Sequence, residues 1–182
     1  PKATYVLPFG ALNLEELLQN ASGADGQGKE IYVKVIIATA ADEEKEDITR
    51  TANRLGVQTV GDPFEFSVEI VKDGDSIIWV PGGDLVTDGE QNKELKSFSG
   101  YILRSIYVNE KIDPNKTVAA LYVPVNQDFY PLQTRTVHLE DGRTEVVFQR
   151  PGNSIYTVIN HEKTFKDIKN HWAEQEIELL AN

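Results

Sequence analysis

Hydrophobic and polar residues alternate along most of the chain in a pattern that predicts β-structure. Short runs rich in β-branched and aromatic residues are separated by clusters of glycine, proline, asparagine and aspartate, as expected for strands joined by turns. These runs cover residues 5–7, 31–37, 63–71, 77–80, 98–108, 117–125, 134–139, 144–150 and 154–159. We predict a mainly β (α+β) fold, an antiparallel β-sandwich-like domain.

Turn signals indicate how neighbouring strands are joined. Asp73-Gly74 predicts a hairpin between residues 63–71 and 77–80, and residues 140–143 predict a second hairpin. Residues 113–115, Asp-Pro-Asn, predict a turn between two further strands. The run 31–37 is almost entirely apolar, which predicts a strand buried on both faces for much of its length.

Three segments have helical spacing instead. We predict two peripheral helices, at residues 12–18 and 42–55, with Gly56 as the C-terminal cap of the second. A third, amphipathic helix is predicted from Asn170 to the C-terminus. Acidic residues cluster at the start of the second helix. We interpret them as a solvated helix start that matches the helix dipole rather than as a metal site. They are Asp42, Glu43, Glu44, Glu46 and Asp47.

The most specific motif lies in residues 164–182. Its residues at fixed spacing are Phe165, Asp167, Ile168, His171, Trp172, Ala173, Ile177, Leu180 and Ala181. This pattern resembles the opening half of an S-layer homology (SLH) domain, the module that tethers bacterial surface proteins to the cell wall. Phe165, Trp172, Ile177 and Leu180 match packing positions of that motif, and the wall-binding part of a repeat would lie beyond Asn182.

The resemblance implies a domain organisation and a location. Residues 1–160 look like the β-rich domain that precedes SLH repeats in surface proteins of Gram-positive bacteria, and residues 161–182 look like the start of a truncated SLH domain. The implied location is extracellular, in the cell wall or S-layer. The implied partner is secondary cell-wall polysaccharide, bound through complete SLH repeats beyond these residues, with other surface-layer subunits as further candidate partners.

Composition narrows the function classes. The formal charge of −11, with 18 basic and 29 acidic residues, argues against a nucleic-acid partner, because phosphate binding needs clustered Lys and Arg. The chain has no cysteine, which excludes disulfides and thiolate chemistry. No apolar run is long enough to span a bilayer, and no signal peptide is evident at the start.

Catalytic motifs are absent, so ligand sites are the remaining candidates. The histidines lack metal-ligand spacing, and no phosphate-binding loop or nucleophile elbow is present. We predict no cofactor. The alternative is calcium, bound by carboxylates of acidic loops that otherwise contribute only to solubility. The candidate ligands are Asp84, Asp88 and Glu90 in one loop, and Asp73 and Asp75 in a second loop. Phe129 and Tyr130, in a predicted loop ending at Pro131, are candidate glycan contacts.

We therefore expect a noncatalytic spacer or interaction domain of an SLH-anchored cell-surface protein. The alternative is an accessory carbohydrate-binding domain of an SLH-anchored polysaccharide-degrading enzyme, and a hydrolase is the third class. A spacer should bury nearly all of its aromatic residues, whereas a sugar platform needs exposed coplanar rings. A hydrolase would need two carboxylates facing each other across a cleft.

Overall fold

The computed structural model describes residues 1–11, 31–72, 76–79, 98 and 100–160. The described part contains a 3-10 helix (Phe9–Ala11), one α-helix, α1 (Asp42–Leu55), and eleven strands. The strands are β1 (Ala3–Val6), β2 (Ile31–Thr39), β3 (Gln58–Thr59), β4 (Phe64–Lys72), β5 (Ser76–Trp79), β6 (Ile102–Val108), β7 (Thr117–Val123), β8 (Asp128–Pro131), β9 (Thr134–His138), β10 (Thr144–Arg150) and β11 (Ser154–Asn160).

The strands form two antiparallel sheets. The first sheet has the order β1-β6-β10-β9, and the second has the order β2-β4-β11-β7-β8, with β3 paired to β11 and β5 to β4. The predicted hairpins are confirmed as β4–β5 and β9–β10. The predicted turn at residues 113–115 is confirmed by the hydrogen bond that the Asn115 N–H donates to Asp113 Oδ1, 2.9 Å. The mainly β, sandwich-like fold is confirmed.

The inner faces of the two sheets pack against each other and form the main core. Alternation along each strand directs apolar side chains inward. Phe66, Ile106, Val146, Tyr156 and Val158 are all fully buried there. The ring centroids of Phe66 and Tyr156 are 5.8 Å apart in an edge-to-face arrangement, one of the geometries that aromatic pairs prefer.

Helix α1 covers the part of the outer face of the second sheet that β7, β8 and β11 form. Its buried residues Ile48 and Ala52 belong to one apolar cluster with Tyr122, Phe129 and Ile159. Gly56 follows the helix with φ of 71°, and its N–H points to the carbonyls of Ala52 and Asn53 in the last turn. The prediction of a C-terminal cap at this glycine is confirmed. The molecule therefore has three layers in its described part, the first sheet, the second sheet and α1.

The structure corrects two strand predictions. The prediction that residues 31–37 are buried on both faces for much of their length is wrong, because side chains on both faces of the edge strand β2 are accessible, and Tyr32 on one face is 51% exposed. On the other face, Val33, Val35 and Ile37 are 41%, 43% and 40% exposed. The loop predicted at residues 129–131 is also wrong, since these residues belong to strand β8, paired with β7.

Two predicted helices, residues 12–18 and the C-terminal helix, lie outside the described residues. Among the residues that are described, no helix is both long enough and apolar enough to cross a bilayer.

Candidate functional site

Most residues singled out from the sequence fall outside the described ranges. All positions of the SLH-like motif lie in residues 161–182, and the calcium candidates Asp84, Asp88 and Glu90 lie in residues 80–97, so both predictions stay predictions. Asp73 and Asp75 also lie outside. Within the described ranges, no three His, Asp or Glu side chains are grouped as metal ligands would be.

The two glycan-contact candidates have different environments. Phe129 is only 8% exposed, and its ring centroid lies 5.7 Å from that of Tyr122 under α1. Tyr130 is 54% exposed. Neighbouring residues of a strand point to opposite faces, so the two rings cannot form one platform. Phe129 is a core residue and is withdrawn as a sugar contact, whereas Tyr130 remains accessible.

Most described aromatic side chains are buried. The buried ones are Phe64, Phe66, Phe98, Tyr122, Phe129, Phe148 and Tyr156. Tyr32, Tyr101 and Tyr130 are more than half exposed, but they lie on β2, before β6 and on β8. This distribution is closer to that expected of a spacer or interaction domain than to a platform of coplanar rings.

A fully buried cation, Arg104, lies in the core between the sheets. Its guanidinium donates hydrogen bonds to the carbonyls of Ile102 (3.1 Å), Arg150 (2.9 Å) and Gly152 (2.8 Å) and to Asn153 Oδ1 (2.8 Å). No carboxylate is among its partners in the described part of the chain. Three of these acceptors belong to residues 150–153, which connect β10 to β11, so Arg104 fastens that connection to β6.

Aromatic rings surround the same guanidinium. Its central carbon lies 4.8 Å from the ring centroid of Tyr5, 5.2 Å from that of Tyr156 and 5.8 Å from that of Phe66, distances at which ring faces attract a cation. Burial lowers the pKa of Arg104 and raises the pKa of Tyr5. The Tyr5 hydroxyl donates to Asn153 Oδ1 at 2.8 Å. The sequence analysis missed this network, although Arg104 stands at an inward position between Ile102 and Ile106.

No described element lies over the outer face of the first sheet, where Val6 and Leu103 are 52% and 42% exposed. We call it the open face. Register places its side chains in three rows that run across the strands. The first row is Gln149, Leu103 and Val6, continued by Gln133; the middle row is Arg135, Val147, Ser105 and Thr4; the last row is Val137, Glu145 and Tyr107.

The centre of the middle row is less exposed than the row beside it. Val147 and Ser105 are only 6% and 4% exposed although no described element lies over them, whereas Leu103 and Val6 beside them are 42% and 52% exposed. Side chains of the neighbouring rows therefore cover most of the middle row. At the Arg135 end it contains a hollow of about 260 Å³, lined by Leu103, Gln133, Thr134, Arg135, Val147, Phe148 and Gln149.

Hydrogen bonds order the polar groups in the last row of the open face. Glu145 Oε1 accepts hydrogen bonds from Ser105 Oγ (2.7 Å) and from the Tyr107 hydroxyl (3.0 Å). Burial, followed by donation to this carboxylate, raises the pKa of Tyr107. The Arg143 guanidinium lies 5.5 Å from the Tyr107 ring centroid and is paired with Asp141 at 2.7 Å. Glu145 is thereby held in one orientation over Ser105.

A second polar cluster joins α1 to the β7–β8 turn. The Tyr122 hydroxyl donates to Asp47 Oδ2, and Arg50 lies 2.7 Å from Asp47 Oδ1. The hydrogen bond from Tyr122, with a further contribution from Arg50, lowers the pKa of Asp47. Arg54 donates to the carbonyl of Gln127, whose φ of 48° is left-handed. These contacts hold α1 against the second sheet. Asp47, one residue of the predicted acidic cluster, therefore has a structural role.

Comparisons with known proteins do not identify a family. No protein-family model matches the sequence. No curated protein and no solved structure matches it at a significant level either.

Proposed function

We propose that this chain is a noncatalytic interaction domain of a bacterial cell-surface protein, placed directly before an SLH-type wall anchor. The proposal combines the motif at residues 164–182 with the packing of the sandwich. The observation that supports it best is the position of β11, the last described strand, which ends at Asn160 just before the motif.

Strand β11 is an inner strand of the second sheet. On one side it pairs with β7 over Tyr156–Asn160, and on the other side it pairs with β4 and β3. Its residues Tyr156 and Val158 are fully buried in the main core. A tether that follows Asn160 is therefore connected to an inner strand of the second sheet rather than to an edge strand.

The start of β1 and the end of β11 lie at the same end of the sandwich. The Tyr107 N–H donates to the carbonyl of Lys2 at 2.9 Å, which places the start of β1 beside the end of β6. Asn160 pairs with Thr117 at the start of β7, and residues 109–116 join β6 to β7. A tether at this end leaves the opposite end projecting, which favours an interaction domain over a spacer arranged in line.

Sedimentation with purified peptidoglycan that carries its secondary polymer tests the proposal. We expect a longer chain with complete SLH repeats to sediment, and the same peptidoglycan without the polymer to retain much less of it. In that longer chain, Trp172→Ala should weaken sedimentation, because the motif places Trp172 at a packing position. Gln175→Ala, predicted on the outward face of the helix, is the matched control.

Failure of the longer chain to sediment would contradict the proposed wall anchor. Equal sedimentation of the Trp172 and Gln175 variants would remove the assignment of the motif.

A further inference from the structure

We propose that strand β2 pairs in antiparallel fashion with β2 of a second copy of this chain, so that the second sheets of two molecules join into one continuous sheet. The two-fold axis of this arrangement passes beside Val35. The inference goes beyond the proposed function, because pairing of two copies through β2 does not require a cell-wall anchor.

Strand β2 is the longest of the described strands that lie at a sheet edge. It has nine residues, whereas the edge strands β1, β8 and β9 have four, four and five. Short edge strands, prolines and unpaired charges protect sheets against pairing with other chains. Strand β2 contains no proline, and its one charged residue, Lys34, is already paired with Glu69 on β4 at 2.9 Å. This edge therefore lacks the usual protection.

The backbone groups of alternate β2 residues face this open edge. The Ala40 N–H donates to the Pro63 carbonyl at 3.0 Å, which continues the register between β2 and β4. Antiparallel pairs alternate between hydrogen-bonded and non-bonded positions, so the even-numbered residues of β2 bond to β4. The N–H and C=O groups of Val33, Val35 and Ile37 therefore point away from β4, to a side where no described strand lies. An added strand satisfies such a row of groups.

The side chains of the same three residues are apolar and exposed although they are on the core side of the sheet. Register places Val35 and Ile37 opposite Val68 and Phe66, which are fully buried, and opposite residues of an antiparallel pair share a face. Val33, Val35 and Ile37 are nevertheless each at least 40% exposed. Their exposure arises because no described element lies beside β2, and an added strand would cover them.

This edge of β2 is complementary to itself, which identifies the added strand as a second copy. With Val35 opposite Val35 of the second copy, Val33 lies opposite Ile37, and Lys34 lies opposite Ile36 rather than opposite another lysine. The free backbone groups of both copies then meet in hydrogen-bonded pairs. Although the chain has a formal charge of −11, β2 contains no acidic residue, so two copies meet here without opposing carboxylates. A contact that uses the same patch on both molecules closes at two copies.

Size-exclusion chromatography with light scattering, over a wide range of concentrations of the 182-residue chain, tests the proposal. We expect the mass to rise from that of one chain to that of two and no further. Val35→Lys and Val35→Glu should each weaken association at least about tenfold, because each places like charges opposite one another at the two-fold axis. An equimolar mixture of these two variants should associate again, since opposite charges then face each other. Val125→Lys, at a position 84% exposed between β7 and β8, is the matched control and should associate like the parent protein.

A second variant examines the backbone pairing. Val33→Pro removes an N–H that faces the open edge and no bond to β4, and proline is tolerated at such edge positions. It should abolish association without changing the circular dichroism spectrum, so it decides the outcome if the Val35 variants do not fold.

A parent protein that stays monomeric at every concentration would overturn the proposal, as would association that Val33→Pro leaves unchanged. Growth beyond two copies, or folded Val35 variants that fail to associate when mixed, would overturn the two-fold register. Because this measurement involves no cell wall, its outcome is separate from that of the peptidoglycan test.

Discussion

Replacement of Arg104 by methionine should cost more stability than any surface substitution. The side chain donates four hydrogen bonds, of 2.8–3.1 Å, and bonds to charged groups are worth about 1.5–3 kcal/mol each. The guanidinium also contacts three aromatic rings, worth roughly 0.5–2 kcal/mol each. Against these gains stands the lost hydration of a buried cation, which is also the cause of its lowered pKa.

The net expectation for Arg104→Met is a loss of about 3–5 kcal/mol, because the four hydrogen bonds of a buried cation are removed and the carbonyls of Ile102 and Arg150 lose the donor that it supplies. For a chain of this length, that loss corresponds to a fall of about 10 °C in melting temperature. Urea unfolding followed by circular dichroism measures it. Arg104→Lys should recover only part of the loss, since the compact ammonium group of lysine cannot reach all the acceptors that the planar guanidinium reaches.

The matched control is Arg135→Met on the same sheet, which removes an exposed arginine and should change stability by less than about 0.5 kcal/mol. If Arg104→Met were within about 1 kcal/mol of the parent protein, the desolvation cost would balance the network, and its assigned role in holding residues 150–153 would be refuted.

Two further predictions concern Asp47 and a turn glycine. The pKa of Asp47 is lowered in the folded state, so its contribution to stability is present above the pKa of the unfolded chain, about 3.9, and is lost as the pH falls through the folded-state pKa. The stability difference between the parent protein and Asp47→Asn in urea unfolding should therefore be larger at pH 7 than at pH 2.5, and a constant difference would contradict the bond to Tyr122. Gly142 has φ of 87° with open space around it, so Gly142→Ala should cost about 1–2 kcal/mol from the backbone alone. Gly142→Asn should cost less, and equal melting temperatures for both variants would argue against the left-handed turn.

Strand β2 shows where pattern and structure differ. A continuous apolar run is typical of a strand buried on both faces, and residues 31–37 have that pattern. The strand forms as predicted. Its place in the sheet is set by pairing with β4, a strand more than twenty residues away, and no local feature of residues 31–37 indicates that pairing. An apolar run therefore predicts a strand without determining its place in the sheet.

Strand β8 was missed for a related reason. Pro131 lacks an N–H and argues against a strand within a sheet, so residues 129–131 read as a loop. The structure places β8 at the edge of the second sheet, where proline is tolerated. The same edge position accounts for the separation of Phe129 and Tyr130, one under α1 and one exposed.

The fold class, the hairpins, the helix at Asp42–Leu55 and its cap at Gly56 are predictable from the amino-acid pattern, because alternation, turn residues and caps act over a few neighbouring residues. The Arg104 network and the open face depend instead on how the strands assemble into sheets. In both, residues from β1, β6 and β10 meet although more than a hundred positions separate the first from the last. Register and sheet order bring them together, and these follow from burial of the whole core rather than from local pattern.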